Sequence, residues 1–137
     1  MSAVAAPPRA LRVLVIEDNA DAAEVLRIMV SSWGHQVTVA WNGEDALRRA
    51  EELKPDVLLL DISLPRVHGH EIARQVRSRP WSSGVTMIAI SAWALDQDRR
   101  QSRQAGIDHH FSKPVDAKKL YRLLQRVQPI AENRAVT

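Results

Sequence analysis

The chain contains no cysteine. That absence excludes a disulfide framework, a thiolate metal site and cysteine nucleophilic catalysis. Any apolar run near the roughly 20 residues needed to cross a bilayer is also missing. The N-terminus lacks the charged-then-apolar layout of a secretory signal. A soluble, cytoplasmic protein without membrane attachment is therefore expected. Nor does one sign of charge dominate, because 19 basic and 16 acidic residues leave a formal net charge of +3. The basic residues are spread over several helical segments instead of being gathered on one surface, so no DNA footprint is expected. What is present is 45% hydrophobic residues in a chain of 137, enough for one domain with a sizeable core.

The apolar residues fall into five strand-like runs, each followed by a helical pattern. Residues 1–10, rich in Ala and Pro, read as a flexible tail. Residues 11–16 form a first strand closed by Glu17-Asp18, and Asn19 or Asp21 caps a helix to about Trp33 with Ala22, Leu26, Met29, Val30 and Trp33 inward. Residues 36–40 read as a second strand. Asn42-Gly43 turns into a helix over residues 44–54 whose stripe is Ala46, Leu47, Ala50 and Leu53. Val57 to Leu60 are four consecutive apolar residues, the mark of a strand buried on both faces. Asp61 ends it. A helix with Ile72, Ala73 and Val76 inward stops before Pro80, residues 81–84 are a loop, and a fourth strand over 85–90 ends at Ser91. A polar helix over 96–105 finishes at Gly106. A short strand over 109–112 runs into Lys113-Pro114. The last helix, 116–127, carries Leu120, Leu123, Leu124 and Val127, and 129–137 is a second tail. Five alternations predict a doubly wound α/β domain over residues 11–128, with a parallel sheet covered on both faces.

Right-handed crossovers put all five strand ends on one edge of such a sheet, where open α/β sheets bind ligands. That geometry gathers Glu17, Asp18, Asp61, Ser91 and Lys113. Three adjacent carboxylates repel one another, and a hard divalent cation such as Mg²⁺ relieves the conflict by taking oxygen ligands. With a fixed lysine charge and a hydroxyl beside them, the carboxylates suit phosphoryl transfer, Asp61 being the nucleophile that forms an aspartyl phosphate.

Through Glu17-Asp18, Asp61, Ser91-Ala92 and Lys113-Pro114, each after a strand and in order, the chain resembles the receiver domains of two-component response regulators. The resemblance covers about residues 11–127. It implies a flavodoxin-like five-stranded parallel sheet of order 2-1-3-4-5 with five helices, and a phosphorylation-switched signalling domain in place of an enzyme. It implies that Asp61 takes a phosphoryl group from a phosphohistidine on a sensor histidine kinase or a histidine phosphotransfer protein and so switches binding of a downstream protein. Asp18, Asp61 and the backbone carbonyl of Ser63 would ligate Mg²⁺ or Mn²⁺, with Glu17 acting through water. Lys113 would pair with Asp61 and then with the phosphate, Ser91 would bond a phosphoryl oxygen, and the Lys113–Pro114 peptide would be cis.

Three features depart from the family pattern. The switch residue three before the lysine, ordinarily Tyr or Phe, is His110, and histidine titrates near ~6.5. The loop Arg66-Val67-His68-Gly69-His70 lacks the acid often found before its glycine. Trp93, two after Ser91, and Ser63, two after Asp61, flank the path of the attacking water in this family, so slow loss of the phosphoryl group is expected. A second class, an aspartate-nucleophile phosphatase of the haloacid dehalogenase type, fits less well, since it places its nucleophile after the first strand with a second Asp two residues on. His68, His70, His109 and His110 lie on separate loops without zinc-ligand spacing. Trp33, Trp41 and Trp81 read as core or loop anchors, and Arg99, Arg100 and Arg103 as a solvated helix face.

Overall fold

The computed structural model describes residues 10–62, 69–92 and 96–130. Five strands, β1 (Arg12–Ile16), β2 (Gln36–Ala40), β3 (Val57–Asp61), β4 (Thr86–Ser91) and β5 (His109–Ser112), alternate with α1 (Ala20–Ser32), α2 (Gly43–Leu53), α3 (Gly69–Arg77), α4 (Asp96–Gln104) and α5 (Ala117–Arg126). All strand pairings are parallel and the order is β2-β1-β3-β4-β5, as expected.

Alternation along each strand divides the core in two. Leu14, Ile16, Leu58, Leu60, Met87 and Ala89 face Ala46 and Ala50 of α2 and Ile72, Ala73 and Val76 of α3. Val13, Val15, Val57, Leu59, Ile88 and Ile90 face Leu26 and Val30 of α1 and Leu120, Leu123 and Leu124 of α5. Both faces of β3 are therefore covered, which is why its sequence is an unbroken apolar run.

Polar caps fix the helix starts. The side chain of Asn19 accepts from the Ala22 amide at 2.8 Å, that of Asn42 from the Asp45 amide at 2.8 Å, and that of Asp116 from the Lys119 amide at 3.1 Å. The cap at Asn19 sets the phase of α1 so that Ala23, not Ala22, joins Leu26 and Val30 in the core. Residues 80–84 form a 3-10 turn with Pro80 at its start, and the fourth strand begins one residue later than its apolar run suggests because Val85 closes that turn. Ile130, placed by sequence in the second tail, is held against the domain. Its amide donates to Oδ1 of Asp56 at 2.7 Å, and its side chain packs on the α2–α3 face of the core.

Candidate phosphoacceptor site

Every strand except β2 delivers a polar residue to the C-terminal edge. β1 runs out into Glu17 and Asp18, β3 ends on Asp61, β4 ends on Ser91, and β5 leads to Lys113. The backbone ladder continues past the strands and fixes these positions. The Ile62 amide donates to the Ile90 carbonyl at 2.9 Å, the Lys113 amide to the Ser91 carbonyl at 2.8 Å, and the Glu17 amide to the Ala40 carbonyl at 3.1 Å.

Asp61 is buried, 4% exposed, and Lys113 Nζ donates to its Oδ2 at 2.7 Å. This ion pair supplies the charge that a buried carboxylate requires. Glu17 is also buried, and its carboxyl is pushed up to about 7, first by burial and then by its side-chain hydrogen bond and repulsion with Asp61. The Asn19 amide, which donates to Glu17 Oε2 at 3.1 Å, and the Lys113 ammonium act in the opposite direction without overcoming burial. Asp18 stands exposed at the rim. The Lys113–Pro114 peptide bond is cis.

Ser91 is buried, and its Oγ lies 2.8 Å from His110 Nε2. The other ring nitrogen, His110 Nδ1, lies 3.3 Å from Oγ of Ser102 on α4, and that oxygen lies 3.1 Å from Nε2 of His70 on α3. Sequence reasoning missed Ser102. Its only signal is position, since Ser102 and Ala105 are three apart and are the small residues of an otherwise charged or amide-bearing segment. His70 and His110 thus meet through a shared serine, while no group of three or more His, Asp or Glu side chains among the described residues is arranged to hold a metal by itself. Ser63, Trp93 and His68 lie outside the described residues, as does the side chain of Arg99.

At the opposite edge of the sheet a second polar cluster also went unread. Asp56 is fully buried and accepts from the amides of Arg12, at 2.8 Å, and Ile130. His35 Nδ1 accepts from the Leu11 amide at 3.1 Å, and burial lowers its pKa against the pull of Asp56. The one sequence signal is an acid set directly before an apolar strand.

A parallel sheet of this order with acids after β1 and β3 and a lysine after β5 is the arrangement of a phosphoacceptor signalling module. The model of the response regulator receiver domain matches residues 13–125, and the chain belongs to that family. It is a receiver domain of two-component phosphorelay signalling. It is 32% identical over 103 residues to the polar-differentiation response regulator DivK of Brucella anthropi, covering 75% of this chain and 84% of that one. It is 30% identical over 116 residues to the protein PilH of Pseudomonas aeruginosa, covering 85% and 96%. Among solved structures, the receiver domain of the sensor histidine kinase PA1611 from P. aeruginosa, which has a magnesium ion coordinated in its active-site cleft, superposes with a TM-score of 0.77 at 34% identity, covering 87% of this chain and 98% of that one. The haloacid dehalogenase reading gains no support from these comparisons.

Proposed function

We propose that Asp61 accepts a phosphoryl group from the phosphohistidine of a sensor histidine kinase or a histidine phosphotransfer protein. The observation that carries this reading is the buried Asp61 carboxylate paired with the Lys113 ammonium, which reaches it from the more exposed side, between Glu17 and Ser91. An oxygen of Asp61 forms the new O–P bond as the P–N bond to the donor imidazole breaks. Lys113 then holds the charge gained by the phosphoryl group, and Ser91 donates its hydroxyl proton to a phosphoryl oxygen. The contact of Ser91 with His110 makes His110 the switch residue that links this event to α4 and to the binding of a protein partner.

The donor set fits a hard divalent cation. It consists of oxygens alone. Asp18, Asp61 and the Ser63 carbonyl would hold Mg²⁺, or Mn²⁺ in its place, with Glu17 acting through water, and the magnesium in the PA1611 receiver domain supports this. When bound, the cation neutralises charge on the transferring group. A ³²P-labelled histidine phosphotransfer protein tests the reading. Label passing to this chain only with Mg²⁺, and lost in alkali as an acyl phosphate is, supports it; label that stays on the chain in alkali contradicts it.

A further inference from the structure

The contacts Ser91 Oγ–His110 Nε2, His110 Nδ1–Ser102 Oγ and Ser102 Oγ–His70 Nε2 form one chain from β4 through β5 and α4 to α3. Its two serines are buried, 3% and 2% exposed, and its two imidazoles are half-buried. A hydroxyl carries one proton, and a neutral imidazole donates from one nitrogen and accepts at the other. With the Ser102 proton kept inside the chain, neutral rings allow two arrangements. In one, Ser91 donates to His110 Nε2, His110 Nδ1–H donates to Ser102, and Ser102 donates to His70 Nε2. In the other every bond is reversed. His70 Nε2–H donates to Ser102, Ser102 donates to His110 Nδ1, and His110 Nε2–H donates to Ser91. Both rings therefore change tautomer together.

A phosphoryl oxygen is an acceptor. A Ser91 hydroxyl that bonds one has given up its only proton and can take part in the chain only by accepting from His110. We propose that phosphorylation of Asp61 selects the second arrangement, and that Ser102 and His70 are positioning residues that carry this choice from Ser91 to the start of α3. The proposal rests on the roles given above to Asp61 and Ser91. No proton is gained or lost. The hydroxyls rotate and the half-buried rings exchange nitrogen sites through solvent. Hydrogen bonds in a chain polarise one another, which favours the two fully aligned arrangements over mixed ones.

The full chain, labelled with ¹⁵N at histidine and held near pH ~8, above the ordinary histidine range, gives the tautomer of each ring by long-range ¹H–¹⁵N correlation. Spectra are compared before and after acetyl phosphate and Mg²⁺, with intact mass taken on the same sample. The expected result is that His110 and His70 both pass from Nδ1–H to Nε2–H in the phosphorylated fraction. In Ser102→Ala, which deletes one buried oxygen, the adduct still forms and His110 still changes while His70 no longer responds. A wild-type adduct with the His70 tautomer unchanged overturns the proposal, whether His110 stays neutral or becomes doubly protonated. So does a His70 response that survives in Ser102→Ala. A wild-type chain with no adduct overturns the phosphoacceptor reading itself, and the mass separates that failure from a failure of the relay alone.

Discussion

At Glu17 burial competes with two neighbouring positive dipoles and charges, and burial prevails, so the carboxyl holds its proton up to about pH 7. A proton on Glu17 removes the negative charge that would hold the cation through its water, which makes Mg²⁺ and this proton competitors. Mg²⁺ affinity is therefore expected to rise about tenfold between pH 6 and pH 8, with close to one proton released per ion at the lower pH. Calorimetry in buffers of different ionisation heat measures both quantities, and Glu17→Gln should flatten the dependence. An affinity independent of pH in wild type would count against the assignment of Glu17 to the site. Trp93, beyond the described residues, carries a separate expectation. In the family pattern this position flanks the path of the attacking water, so Trp93→Ala is expected to lose the phosphoryl group faster than wild type, as followed by the decay of the adduct mass. Equal lifetimes would remove Trp93 from the water path. The acids, the serine and the lysine of the site were legible because each stands at the end of a strand. Ser102 was not, because contact with a histidine eight residues on depends on how α4 lies against β5, which no local pattern encodes.

Among the elements, the strands and helices follow from apolar period and caps, and the departures are local. Val85 belongs to the 3-10 turn because Pro80 starts a tight turn that uses the Val85 amide. The join between α3, that turn and the end of α4 depends on Arg77, whose guanidinium donates to the carbonyls of Ser82 at 2.7 Å, Val85 at 3.0 Å and Gly106 at 2.8 Å and to Asp108 at 3.0 Å. Gly106 has a φ of +95°, and a Cβ added there would lie 3.0 Å from Arg77 Cγ. Both the conformation and the space call for glycine. Gly106→Ala is expected to destabilise the domain by about 1–2 kcal/mol from the left-handed backbone alone, measured by urea unfolding. An unchanged midpoint would mean that the Arg77 join tolerates a shift. The role of Arg77 was hidden in the sequence, where it reads as one more exposed basic residue of a helix.

For the molecule as a whole, the candidate phosphoacceptor site lies at one edge of the sheet and a structural polar cluster at the other. His35 is neutral in the fold, with Nδ1 accepting from Leu11 and with Nε2 buried and unbonded among the described residues. Its folded pKa lies below the ordinary value of 6.5, so its contribution to stability is full above that value and is lost as the pH falls. Glu17 works with the opposite sign, because its raised pKa makes the folded chain bind the extra proton between about 4.5 and 7. In a Glu17→Gln background the urea midpoint should therefore drop from pH 7.5 to pH 5, and adding His35→Gln should reduce that drop. A drop of unchanged size would mean that other groups set the acid sensitivity. The α/β class was readable from five strand–helix alternations and the polar edge from the acids, serine and lysine that follow four of the strands, whereas the strand order came with the resemblance to receiver domains. The docking of Ile130 was not, since it depends on an amide reaching Asp56, 74 residues away.

The most direct measurement is intact mass after incubation with acetyl phosphate and Mg²⁺, made on wild type and on Asp61→Asn. A gain of one phosphoryl group, about 80 Da by the chemistry of aspartyl phosphate formation, that requires Mg²⁺ and disappears in Asp61→Asn is the expected result. An adduct that persists in Asp61→Asn, or that forms equally well without a divalent cation, would contradict the account.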